Sequence, residues 1–133
     1  MMVATTADRE GWWWGCPVDA LTPLPTEPSR VTISIPRDAE GYRTFTTADA
    51  VAVHVLRAGQ EALAGHFARH PTDFDAVQSS HGFRVECGFA GVPLLAGVVS
   101  RLECRPVNVV TAGVKVLLLT EVVRDDYYGT LAA

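Results

Sequence analysis

The chain has 133 residues, 48% of them hydrophobic and 20% charged, with 11 basic against 15 acidic residues and a formal net charge of −4. That fits a single domain over residues 1–133 and excludes disorder, a fibrous repeat and a two-domain chain. The basic residues, ten Arg and Lys115, are scattered with no two adjacent, so there is no footprint for a phosphate backbone, and nucleic acid is excluded as a partner.

No stretch approaches the roughly 20 apolar residues of a membrane span, and Met1 to Glu10 lacks a basic region followed by an apolar core. No membrane association is predicted, and a cytoplasmic protein is expected. Three cysteines, Cys16, Cys87 and Cys104, are too few and too irregularly spaced for a disulfide framework or a zinc site. They are expected to be free, buried thiols.

Along the chain, the first 30 residues read as loop-rich, because Pro17, Pro23, Pro25 and Pro28 fall within twelve positions. Trp12-Trp13-Trp14 reads as core or interface packing, with a stacking platform for a planar ligand as the alternative. Val31-Thr32-Ile33-Ser34-Ile35 alternates and is mostly β-branched, which predicts a half-buried strand ended by Pro36. Asp38 to Gly41 reads as a turn. Val51, Val53 and Val55 recur at period two, and Gly59 interrupts the run that follows. This predicts a strand over 50–56 and a helix from Ala58 to Arg69 with Ala62, Leu63, His66 and Phe67 as its buried stripe.

In the second half, Phe83, Val85, Cys87 and Phe89 alternate with Arg84 and Glu86. After a turn around Gly91, Val98, Ser100, Leu102 and Cys104 alternate with Arg101, Glu103 and Arg105. The pattern predicts one hairpin with a core face and a charged face, its Arg and Glu side chains paired on the outside. Val114 to Val123 differs, since Leu117, Leu119 and Val123 make its second face apolar too; such a strand is buried on both sides or lies in a dimer interface. One helix among antiparallel strands predicts a mainly β (α+β) fold, a small barrel carrying a helix.

Motifs for familiar chemistries are missing. His66 and His70 have a metal-ligand spacing but no third ligand is evident, so no metal site is predicted. There is no G-x-G-x-x-G, G-K-[ST] or G-x-S-x-G, which removes support for a Rossmann site, a P-loop and a serine-hydrolase elbow.

The order of segments nevertheless has a counterpart. Val51-Ala52-Val53-His54-Val55-Leu56, then Gln60-Glu61-Ala62-Leu63-Ala64, then His66-Phe67-Ala68, resembles the flavin reductase family of FMN-binding split barrels, where a strand reading F-x-V-N-V-L precedes a helix reading Q-x-x-L-A-x-x-F-A. Gly91-Val92-Pro93-Leu94-Leu95, Leu102-Glu103-Cys104, Gly113 and Glu121-Val122-Val123 follow the family's G-x-P-L-L, L-E-C, G-D-H and G-E-V landmarks in order. Upstream, Gly15 to Pro28, followed by Val31 to Arg37, aligns without a gap to its flavin-binding stretch. The resemblance covers nearly the whole chain.

It implies a six-stranded antiparallel split β-barrel with one main helix, usually a homodimer, in which NAD(P)H passes hydride to FMN. A separate monooxygenase component is the implied recipient of the reduced flavin. The cofactor supplies the redox chemistry in such proteins, which accounts for the absence of an acid, base or nucleophile constellation, and no catalytic residue is singled out. Carried over by position, Cys16, Pro17, Val18, Asp19, Ala20, Leu21 and Thr22 line the isoalloxazine and ribityl chain. Pro36 to Gly41 forms the phosphate-side turn with Arg37 as anion partner. His54 stands where the family has Asn, and Lys115 falls within its G-D-H signature.

The chain also departs from the pattern. Pro17 and Asp19 replace Thr and Ser of the flavin loop, and Ala39 and Gly41 replace hydroxyls of the phosphate turn. Met1 falls where members are already in their first strand, and Ala133 precedes their last segment, so the resemblance is to a shortened, divergent member. Two further readings stay open. One is a flavin-independent protein whose Trp-lined barrel pocket binds or cyclises an apolar small molecule of a biosynthetic pathway; the other is a dimeric structural module.

Overall fold

The computed structural model describes residues 2–39, 41–62 and 84–127. Nine strands occur among them: β1 (Met2–Ala7), β2 (Trp13–Pro17), β3 (Ala20–Leu24), β4 (Arg30–Pro36), β5 (Val51–Val55), β6 (Val85–Cys87), β7 (Pro93–Leu95), β8 (Ser100–Ala112) and β9 (Lys115–Tyr127). A five-residue helix, α1 (Tyr42–Thr46), lies between β4 and β5. Seven strands form one antiparallel sheet in the order β2-β1-β5-β8-β9-β4-β3, and β6 and β7 form a separate hairpin.

The sheet curls into a half-barrel. β2 and β3 are consecutive in sequence yet occupy its opposite edges. Their link stitches those edges together, for the Val18 N–H donates to Met2 O on β1 at 3.1 Å and the Asp19 N–H to Ser34 O on β4 at 2.8 Å. The concave side holds the main core of Ala4, Cys16, Val31, Ile33, Ile35, Phe45, Val51, Val53, Val116 and Leu118, all buried. On the other face of β5, Ala50 and Ala52 pack under Val92 and Leu94 from the β6–β7 hairpin.

Where periodicity is strong, the predicted strands are found. Val31, Ile33 and Ile35 are buried in β4 with half-buried residues between them, and β5 falls inside the predicted 50–56. The mainly β, antiparallel split-barrel class holds, but its sheet has seven strands rather than six.

The first 30 residues are not loop-rich; they supply β1, β2 and β3. Their prolines misled because β2 and β3 are edge strands, where a missing N–H leaves no interior ladder bond unmade. Helix α1 went unpredicted, being too short to set up a period. The predicted helix from Ala58 to Arg69 lies mostly outside the described residues, with His66, Phe67 and His70. Within them, residues 57–60 make a turn closed by the Gln60 N–H donating to Arg57 O at 3.2 Å.

The predicted pairing of 83–89 with 98–105 is also corrected. β6 pairs with β7, because Gly88 to Val92 closes a tight turn in which Gly91 takes φ +80 and Ala90 φ +51. β8 instead pairs with β5 and β9. A bulge between Glu103 and Cys104 breaks its alternation, so Arg101, Glu103 and Cys104 are all buried. The Arg–Glu pair is real but not on the outside: Arg101 Nη1, 9% exposed at its side chain, meets Glu86 Oε1 at 2.7 Å.

Cys16 and Cys104 are buried free thiols as expected, whereas Cys87 is exposed at the end of β6. Among the described residues the second face of β9 is only partly covered: Leu117 and Leu119 are half-buried and Val123 is 44% exposed. Val114 precedes the strand altogether and is 76% exposed at the β8–β9 tip.

Candidate functional site

Three segments distant in sequence meet at one end of β3, β4 and β9. The first is the link between β2 and β3, anchored by the Asp19 N–H on Ser34 O. The second is the turn after β4, where the Arg37 N–H donates to Val114 O at 2.8 Å. The third is the β8–β9 tip, turned by Gly113 at φ +62, which brings Lys115 opposite Pro36 in the β4–β9 register. Across β4, Lys115 Nζ reaches Asp19 Oδ2 at 2.6 Å. Between the second and third segments lies an open cleft of about 390 Å³ lined by Pro36, Arg37, Asp38, Gly113, Val114 and Lys115.

Of the ten predicted site residues, Arg37 and Lys115 line the cleft and Asp19 reaches its rim through Lys115, while Cys16 to Val18 and Ala20 to Thr22 lie along β2, the link and β3 outside its lining. Pro17, Asp19, Ala20 and Thr22 are exposed, Leu21 is half-buried, and Val18 is buried at the seam. Cys16 faces the core, where burial, with a further contribution from the Asp19 charge, pushes its thiol up to about 12. It is a packing thiol and not a nucleophile.

His54 stands apart. It is fully buried on the face of β5 opposite Val51 and Val53. The Leu95 N–H donates to its Nε2 at 3.0 Å, which places the proton on Nδ1, 3.3 Å from Val3 O. Burial lowers its pKa to about 3. Both ring nitrogens are therefore spent on joining β1, β5 and β7.

The sequence reading did not single out Tyr42 or Val114 as site residues, whereas Pro36 begins the turn that it placed on the phosphate side. The Arg37 guanidinium beside Tyr42 holds its hydroxyl below its ordinary pKa, while the Arg43 guanidinium sits 5.7 Å from the same ring's centre. Pro36 and Val114 give the cleft an apolar wall beside its two cations. The only signals for Tyr42 and Val114 were an aromatic at the start of a turn of helix and an exposed Val after Gly113, both too local for pattern reasoning.

The tryptophans are occupied elsewhere. Trp14 Nε1 donates to Asp8 Oδ2 at 2.9 Å, and its ring covers Gly41, where φ is +83 and a Cβ would run into the indole. The packing interpretation of that run holds for Trp14. A larger cleft of about 490 Å³ lies between Thr6, Asp8, Arg43, Thr47, Asp49 and Val92. It gathers none of the predicted residues, and Thr6 and Asp8 are committed to internal hydrogen bonds.

The smaller cleft has a lining suited to a ligand combining an apolar planar body with carbonyl or phosphate oxygens: Arg37 and Lys115 as cations and Pro36 and Val114 as an apolar wall, beside the Asp38 carboxylate. A flavin has that composition, so the residues present fit it.

The sequence matches the model of the flavin reductase like domain over residues 1–127. It is 33% identical over 114 residues to an NADH-dependent FAD reductase of Streptomyces globisporus, covering 82% of this chain and 60% of that protein. To the FMN reductase (NADH) SmoA of Agrobacterium fabrum it is 29% identical over 110 residues, covering 83% and 60%. The chain thus spans about 60% of the length of both relatives. Among solved structures, the Streptomyces globisporus NADH:FAD oxidoreductase SgcE6 in complex with NAD and FAD fragments superposes with a TM-score of 0.76 at 30% identity, over 96% of this chain and 73% of that one.

Proposed function

Since the chain belongs to the flavin reductase-like family, we propose that it acts, as a single domain, as an NADH-dependent flavin reductase with FMN or FAD held at the cleft between Arg37 and Lys115. The flavin, when bound, supplies the hydride-accepting chemistry. The chain's own part is to hold and orient it. Arg37 offers a fork of donors to an anionic or carbonyl oxygen, and Pro36 and Val114 provide apolar contact.

The observation that carries this reading is the meeting of three segments at one end of the sheet, two of them lining one cleft. The resemblance assigned two of them to flavin, and the seam hydrogen bonds of Val18 and Asp19 with the Asp19–Lys115 pair hold them together. The Trp-lined apolar pocket is less well supported, because the Trp14 ring is committed to Gly41 and Asp8.

The reading extends to partners. A second copy of the chain is placed against the outer face of β8 and β9, where Val110, Leu117, Leu119 and Val123 are left uncovered or half-covered. A separate oxygenase that consumes reduced flavin is the expected downstream partner, in the cytoplasm, where NADH is available. Among the described residues no helix is long and apolar enough to cross a membrane.

The test is a titration of the purified chain with FMN and FAD, followed by Trp and flavin fluorescence, together with NADH oxidation in the presence of added flavin. Micromolar binding and flavin-dependent NADH consumption are expected; absence of both refutes the reading.

A further inference from the structure

Resting on the flavin reading above, we propose that Asp19 is a specificity-determining residue: by clamping Lys115 it withholds the cleft's second cation from a phosphate on the flavin tail. Lys115 lines the cleft, and its ammonium is held by Asp19 Oδ2 at 2.6 Å. The two side chains are 41% and 35% exposed, so the pair sits at the rim where a ligand meets it.

A phosphate that approaches Lys115 also approaches the Asp19 carboxylate, and the repulsion offsets the attraction. The other cation, Arg37, has Asp38 beside it in the same cleft. Among the described residues, the two cations there are balanced by two carboxylates, Asp38 in the lining and Asp19 at the rim. A monoester phosphate carries a charge of about −2 near neutral pH, yet it meets little net field. Affinity then rests on the uncharged ring system, which riboflavin and FMN share, and discrimination on the single contact that Arg37 offers.

The Asp19→Asn substitution tests this. Asn is close to isosteric and keeps an oxygen that accepts from Lys115, so the link stays pinned while its charge is removed. Riboflavin and FMN binding are compared by fluorescence titration for the natural chain and the variant, at about 20 and about 200 mM salt.

The preference for FMN over riboflavin is expected to rise about fivefold in Asp19→Asn at low salt, the size of one unit charge about 4 Å away in water. The gain is expected to shrink at high salt and to vanish in the double variant Asp19→Asn, Lys115→Met. An unchanged preference, or an equal shift for both flavins, would overturn the proposal and leave flavin binding itself standing. Failure of both proteins to bind either flavin would overturn the flavin reading.

Discussion

Arg37 is the residue on which anion recognition at the cleft depends, because the cleft's other cation, Lys115, is already paired with Asp19. Arg37→Ala is expected to weaken FMN by about tenfold, in keeping with the roughly 1.5–3 kcal/mol of a hydrogen bond to a charged group, and riboflavin by less. Equal losses in the two titrations would mean that Arg37 contacts the ring and not the tail. His54 makes a different prediction. Its folded pKa of about 3 lies below the ordinary 6.5, so as pH falls between those values the unfolded chain takes up a proton that the folded one refuses. Stability is lost across that window at up to about 1.4 kcal/mol per pH unit. His54→Gln, whose amide can both accept from Leu95 and donate to Val3, is expected to unfold with a shallower pH dependence in urea between about pH 6.5 and 4; an unchanged slope would contradict the assignment. Arg37 was singled out through the resemblance, as the anion partner in the turn after β4, and it lines the cleft. The placement of His54 was not legible, because β5 is covered on both faces and alternation there does not separate core from site.

The β6–β7 hairpin is an element of two three-residue strands that cannot stand alone. It is held from below. Thr5 Oγ1 donates to Pro93 O at 2.6 Å, Arg101 Nη1 to Leu95 O at 3.1 Å, and the Phe89 N–H to Glu103 Oε1 at 2.8 Å. Arg101→Met is expected to cost about 2 kcal/mol, less than a fully buried pair because Glu86 is 45% exposed. It should also speed hydrogen exchange at the Leu95 amide, which contacts His54, more than at Ile33 in β4. Uniform exchange rates would mean that the hairpin does not open separately. This element shows where reading by alternation ends. The residues of β6 and β8 do alternate, but the choice of partner was made by the Gly88–Val92 turn and by one bulge, and neither leaves a periodic trace.

For the whole molecule, the partly covered outer row of β9 bears on assembly. Leu119→Lys is expected to convert a dimer to a monomer in sedimentation or light-scattering measurements while leaving the far-ultraviolet spectrum unchanged. A monomeric natural chain, or a variant that remains dimeric, would remove β9 from the interface. The antiparallel barrel class was legible because strands such as β4 and β5 carry apolar β-branched residues at period two. Legibility failed at the margins, where prolines in β2 and β3 mimicked loops and where α1 was too short for a pattern.

Those prolines have a consequence beyond misdirection. The two free borders of the sheet are β2, which ends in Pro17, and β3, which contains Pro23. Neither border offers an unbroken row of donors to another chain. Ribbon-like growth, strand added to strand, is discouraged, and copies are left to meet face to face. A chain with nearly half its residues hydrophobic can on this account be concentrated without seeding fibrils, and replacing Pro23 by a strand former such as Val would remove that protection.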